Sequence, residues 1–284
     1  SAFGTGANME AKMFEGDVPT RNWGRGLWEE GAEKLSGIAL ADNFIVDHAS
    51  CRGCAVRCKP VVEVKEGPYA MDRPGPGPEY ETQAAFGTMI MNDNLAALCK
   101  INDFCNRAGM DTITLGATFA WAMDCYEAGI LKPEDYDGLK LEWGDVDTVI
   151  ELLPSVVARQ GKLATLLAKG SRAAAAEVGG GAEAYLTDSK GLEAPMHDPR
   201  CDWGDGLAYA TVVLRTRGLS TGAGGTALTL ADVEVLSVGN EVPWAAQNGT
   251  VEIQGPADPT PPPTVTPTET PAAWRGYLSL VMVP

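Results

Sequence analysis

Four apolar-periodic segments, each bounded by glycine or a capping residue, fix what the middle of this chain can become. From residue 94 to 108, Leu95, Leu98, Ile101, Phe104 and Cys105 recur at the spacing of one helix face, and Gly109 stands where a left-handed cap closes such a helix. Asp111 is a candidate N-cap for a second helix. That helix has Ile113, Ala117, Ala120, Trp121 and Met123 at its apolar positions and Gly129 at its end, ahead of Lys132-Pro133. Two more helices are expected over residues 146 to 160 and 162 to 178, starting at Asp145 and Gly161 and followed by Gly179-Gly180-Gly181. Nearer the start, an irregular Pro/Gly stretch turns into a short amphipathic helix ending near Gly37. The expected fold class is therefore mainly α.

The remaining segments set the expected organisation. Residues 1 to 180 form a helical domain and 181 to 218 open a second, incomplete one. Residues 219 to 284, rich in Gly, Pro and Thr and including DPTPPPTVTPTETP, form an irregular tail. A chain of 284 residues at 45% hydrophobic content can bury the core of one or two domains. Its formal charge of -16 would be repelled by nucleic acid and by anionic membrane surfaces, so neither is an expected partner. No apolar run reaches the ~18 residues of a membrane span, and the start lacks a basic region followed by an apolar core. A cytoplasmic protein is expected.

Seven cysteines are an odd number for a disulfide framework. Cys99, Cys105, Cys125 and Cys201 stand apart and read as small buried hydrophobes. Cys51, Cys54 and Cys58 do not. They put three soft ligands within eight residues, the donor type that iron-sulfur clusters and zinc prefer. A zinc site would take a fourth ligand at compact spacing, for which His48 is the nearby candidate, whereas an iron-sulfur cluster tolerates a remote fourth cysteine. Three clustered cysteines without metal remain the third reading. Residues 51 to 82 continue into GPYAMDRPGPGPEYET, too dense in Gly and Pro for helix or central strand, and this stretch reads as loop. Glu79, Tyr80 and Glu81 follow directly, either as charges at a helix start or as proton-handling groups beside a redox centre.

CRGCAVRC, GPEYET, CNRAGMDTITLG, APMHDPR and GLAYAT, in that order, resemble the tungsten-dependent aldehyde:ferredoxin oxidoreductase family over about residues 1 to 211. The resemblance implies that family's helical second domain and the start of its third. It implies a [4Fe-4S] cluster with Cys51, Cys54 and Cys58 as three of its ligands, next to tungsten or molybdenum held by two pterins. It implies Glu81 as the active-site glutamate, and Asn106, Gly109, Met110 and Asp111 within the first of two pterin motifs. There Asn106 replaces the usual Asp and loses its charge, while an ordinary helix-cap turn accounts equally well for Gly109 and Asp111. The implied reaction oxidises a small aldehyde to its acid and passes electrons to ferredoxin; a homo-oligomer is also compatible.

Three parts of the family pattern have no counterpart. These are the domain covering one face of the pterins, the active-site His expected within VVLRTRGLSTG, and the second pterin motif with the fourth cluster cysteine. The expectation is a truncated or frame-shifted relative, inactive alone. The alternative is a non-enzymatic iron-sulfur electron-transfer subunit.

Overall fold

The computed structural model describes residues 2 to 189 and 191 to 201, together with the backbone of two short strands at 226 to 230 and 249 to 253. The chain divides into two compact units, residues 1 to 202 and 203 to 284. The first unit thus continues past residue 180, and the segment after the glycine triplet packs with the helices before it.

Helices dominate the first unit. A 3-10 turn, Thr5–Asn8, leads into α1 (Met9–Glu15), α2 (Glu29–Leu35) and α3 (Gly37–Asn43). α2 ends at Leu35, near Gly37 as expected, and Gly37 opens α3, where the Ser36 hydroxyl accepts from Ala39 N at 3.1 Å. Glycine is needed at 37 because a Cβ there would stand 2.3 Å from the Phe3 carbonyl oxygen.

The stretch expected to be loop supplies two strands of a small antiparallel sheet, β2 (Lys59–Val62) and β3 (Gly75–Pro76), which join β1 (Ile45–Ala49) just before it in the order β1-β2-β3. His48 pairs with Pro60 and Val62 with Gly75. Gly75–Pro76 is an edge strand, a position that accommodates proline. The cysteine loop is the connection between β1 and β2.

Next come α4 (Tyr80–Ala85), α5 (Leu95–Ala108) and α6 (Thr112–Glu127). The caps follow the sequence: Asn94 accepts from Ala97 N, Gly109 takes φ 70 at the end of α5, and Asp111 accepts from Ile113 N at 3.0 Å. α6 differs from expectation in being buried on every side, with Leu115, Phe119, Trp121, Met123 and Tyr126 all inside. It packs against α4 and against two later helices, and the Trp121 indole donates to the Ala182 carbonyl at 2.9 Å.

α7 (Val146–Ala158) starts on Asp145 as anticipated, with Thr148 N donating to the cap. The single helix expected over 162 to 178 is instead two, α8 (Lys162–Leu167) and α9 (Ser171–Val178). The break is held from a distance: the Glu193 carboxylate accepts from both Ser171 N (2.9 Å) and Ser171 Oγ (2.7 Å), capping α9 from 22 residues away. A two-residue ladder, β4 (Asp188–Ser189) with β5 (Leu192–Glu193), presents that carboxylate.

In the second unit, β6 (Thr226–Leu230) pairs antiparallel with β7 (Gly249–Ile253). The tail is therefore not irregular at these ten residues. The segments GLAYAT, VVLRTRGLSTG and DPTPPPTVTPTETP lie outside the described residues. Among the described residues no helix is long and apolar enough to cross a membrane.

Candidate functional site

Cys51 and Cys54 are exposed and Cys58 is half-buried; all three are free thiols. A turn with Cys54 N donating to Cys51 O at 3.0 Å shapes the loop, and Gly53 at φ 76 has open space around it. Arg57 closes the base of the loop by donating to the His48 carbonyl. Among the described residues no three His, Cys, Asp or Glu side chains converge as a metal-holding group. The donor chemistry nevertheless fits an iron-sulfur cluster: soft ligands, uncrosslinked, on an accessible loop. His48, the nearby candidate for a fourth ligand, has its Nε2 3.0 Å from the Ala2 carbonyl oxygen, which leaves Nδ1 as the nitrogen a metal would take.

The other cysteines divide. Cys99, Cys105 and Cys125 are buried, and burial pushes each thiol up to about 12, which leaves them protonated and poor ligands. Cys201, expected to be buried, is exposed, because it sits in the irregular end of the first unit and not on a helix face.

Asn106 to Ala108 are the last residues of α5, and Gly109 to Asp111 make the turn into α6. The backbone turns on Gly109, and Met110 N donates to Cys105 O at 2.9 Å. A side chain at 109 would meet nothing within 4 Å, so the turn is open on its outer face and a ligand could approach the backbone there. Asn106 turns its amide back to the Asn102 carbonyl at 2.8 Å, and the Asp111 carboxylate is engaged by Ile113 N and Thr114 Oγ1.

Glu81 lies in the first turn of α4, and hydrogen bonds tie this helix to the other candidate elements. Thr82 Oγ1 lies 2.8 Å from Thr112 Oγ1, the first residue of α6 after the Asn106–Asp111 turn. Gly77 N donates to the Pro60 carbonyl of β2, and Asn102 Nδ2 of α5 donates to the Pro76 carbonyl, each at 2.8 Å. The strand leaving the cysteine loop, the helix bearing Glu81 and the α5–α6 turn are therefore built onto one another.

Around Glu81 the structure gathers residues that sequence reasoning did not single out. Glu81 Oε2 accepts from Met196 N at 2.8 Å, while Oε1 is 3.3 Å from His197 Nε2. His197 Nδ1 is 2.9 Å from Asp17 Oδ2, which also holds Lys12 Nζ at 2.5 Å. Burial acts to raise the Asp17 carboxyl, but hydrogen bonds from Lys12 and His197, together with their charges, outweigh it and hold the group below its ordinary value. The Tyr80 ring stacks on His197 with centroids 4.8 Å apart, and its hydroxyl donates to the Met196 carbonyl. Burial drives that phenol upward, so it stays protonated. Beside it, Glu79 accepts from Thr5 Oγ1, whose oxygen also receives Tyr80 N. Lys12 and Asp17 gave no local sequence pattern; His197 lay within APMHDPR, but that motif by itself assigned it no partner.

Residues 1–218 match the family model described as aldehyde ferredoxin oxidoreductase, domains 2 & 3. Among curated relatives, the tungsten-containing aldehyde ferredoxin oxidoreductase of Pyrococcus abyssi is 32% identical over 212 residues, 74% of this chain and 33% of that protein. The corresponding Pyrococcus furiosus protein is 33% identical over 210 residues, with the same coverage. The WOR-like subunit of an aliphatic sulfonate oxidoreductase from Pyrococcus furiosus is 28% identical over 219 residues, 74% of this chain and 34% of that protein. The matched part thus spans about a third of the length of these relatives. Among solved structures, the active-site complex BamBC of benzoyl coenzyme A reductase with 1,5-dienoyl-CoA has the same fold, with a TM-score of 0.54 and 22% identity. That similarity covers 68% of this chain and 29% of the other.

Proposed function

The chain belongs to the aldehyde ferredoxin oxidoreductase family, and from this we propose that it carries part of an oxidoreductase centre converting an aldehyde, or a related oxo substrate, to its acid. The family's tungsten relatives support a tungsten pterin, with molybdenum as the alternative metal. When bound, that centre and a [4Fe-4S] cluster supply the electron-accepting chemistry, with ferredoxin as the expected electron acceptor.

This chain's own residues would then do the following. Cys51, Cys54 and Cys58 supply three thiolates to the cluster. The turn of Asn106, Gly109, Met110 and Asp111 offers an open backbone surface to one pterin. Because the carboxylate of Asp111 is already engaged by its own helix, backbone groups carry more of that contact than side chains do. Glu81, held at Oε2 by Met196 N and with Oε1 3.3 Å from His197 Nε2, would hold or move a proton at the substrate. The observation that carries the reading is the Thr82–Thr112 contact, which fixes the helix of Glu81 against the start of α6. We propose a cytoplasmic enzyme that is inactive as this chain alone, since the described residues offer three clustered thiolates and one pterin motif.

A second reading, an iron-sulfur electron carrier, is favoured by the cysteine loop being a self-contained connection between β1 and β2. Anaerobic reconstitution with iron and sulfide, followed by metal and pterin analysis, tests both. Cluster together with tungstopterin supports the oxidoreductase, and cluster alone supports the carrier. Failure to take up iron, or uptake undiminished in Cys51→Ser, overturns both.

A further inference from the structure

His197 stands between two carboxylates that come from distant parts of the chain. Asp17 faces its Nδ1 at 2.9 Å and Glu81 faces its Nε2 at 3.3 Å. Stacking on Tyr80 limits rotation of the ring, and Met196 N anchors the far oxygen of Glu81, so neither partner easily turns away.

The hydrogens in this row are constrained. Asp17 is ionised, with Lys12 at 2.5 Å, and an ionised carboxylate only accepts, so Nδ1 carries a hydrogen. A neutral ring protonated at Nδ1 has a lone pair at Nε2, and Glu81 Oε1 lies 3.3 Å from that nitrogen. Two lone pairs so placed repel. The contact becomes attractive when a single proton lies between them, on nitrogen or on oxygen. Lys12 Nζ is also 3.4 Å from Nδ1, but both are donors, so this contact is a charge near the ring and not a hydrogen bond. The ring thus lies between the Lys12 charge and the Asp17 carboxylate, which act on an imidazolium in opposite senses. The Tyr80 hydroxyl is committed to the Met196 carbonyl at 2.7 Å, and Asp198 is paired with Arg200, so neither supplies or takes this proton.

We propose that Glu81 and His197 hold one proton in common, with His197 as the positioning residue that receives it from Glu81 and returns it. In the transfer the Glu81 O–H bond breaks and an N–H bond forms at Nε2, leaving a carboxylate beside an imidazolium. The reverse step restores both groups, and no other atom changes partner. The inference rests on the reading of Glu81 as the proton-handling group of the proposed reaction.

The test needs neither metal nor substrate. The chain has two histidines, so labelling the full-length protein with nitrogen-15 histidine gives four ring signals. His48, on an exposed strand with Nε2 near the Ala2 carbonyl, is the internal reference. Carbon-13 labelling of glutamate side chains, with Glu81→Gln as the assignment control, follows Glu81. As pH is raised, the His197 Nε2 signal and the Glu81 carboxyl signal are expected to change together in one step. In His197→Gln the Glu81 carboxyl still titrates, and its step is expected to move away from the wild-type position, while the amide spectrum and His48 stay in place. Two separate steps, or an Nε2 signal that stays constant while Glu81 titrates, would overturn the shared proton. If a His197→Gln chain fails to fold, the wild-type coincidence alone decides. In a tungsten-loaded preparation, turnover surviving Glu81→Gln removes the functional reading of Glu81 without touching the shared proton. Turnover lost in that variant, alongside separate titration steps, removes only the present inference.

Discussion

Replacing Asp124 by asparagine is expected to stabilise the protein near neutral pH and to leave it unchanged in mild acid. Asp124 sits on α6, half-buried, and burial pushes its carboxyl from 3.8 up to about 6, with nearby Glu127 adding to the rise and Asn22 and Arg21 opposing it. A raised carboxyl binds its proton more tightly in the folded chain than in the unfolded one. Between those two values the unfolded chain has released the proton while the folded chain keeps it, so this group's support for folding falls as pH rises and is gone above about 6. A rise of about two units is worth up to about 3 kcal/mol at neutral pH. Solvent screening of a partly exposed group reduces this to about 1–2 kcal/mol. Asparagine keeps an oxygen for the Asn22 amide, which lies 2.5 Å away, so the substitution removes the charge without removing the contact. Urea unfolding followed by fluorescence of the seven tryptophans, in wild type and Asp124→Asn across the acid-to-neutral range, reads the difference directly. The gap should open through the window between 3.8 and about 6. A gap constant with pH, or a less stable variant at neutral pH, would refute the reasoning.

Gly116→Ala should destabilise by about 1–3 kcal/mol in the same assay, because overpacking against fixed backbone has no cheap relief; the new Cβ would stand 2.6 Å from the Ala85 carbonyl oxygen where α6 crosses α4. Glu193→Ala removes the acceptor for both Ser171 groups and should cost about 1–2 kcal/mol, with Glu193→Gln recovering part of it. Alkylation of the folded, metal-free chain should modify Cys51, Cys54, Cys58 and Cys201 and spare Cys99, Cys105 and Cys125 until denaturant is added, as intact mass would count.

The parts of the fold that could be read in advance are those whose cause is local. Gly109, Asp111 and Asp145 act within their own helix ends, and each lies where the sequence placed it. The break between α8 and α9 could not be read that way, because its capping carboxylate is Glu193, outside any window that shows helical periodicity. The small sheet was hidden for a related reason. Its strands are two to five residues long, include Pro60, Gly75 and Pro76, and exist through pairing with one another and not through propensity. In the candidate site, the cysteines and Glu81 carried motifs. Lys12 and Asp17 are single polar residues and His197 lies in a motif that does not name its partners, so only folding shows that they face one another.

The burial of α6 on every side has a bearing on how the site behaves before any ligand arrives. Its amides should be among the slowest in the protein to exchange with heavy water, since they open only when the surrounding helices let go. The Asn106–Asp111 turn and Thr112 are the near end of that same rod. A surface grown from the most protected element loses little conformational freedom when something docks on it, so the entropy of ordering is met during folding and not at the moment of capture.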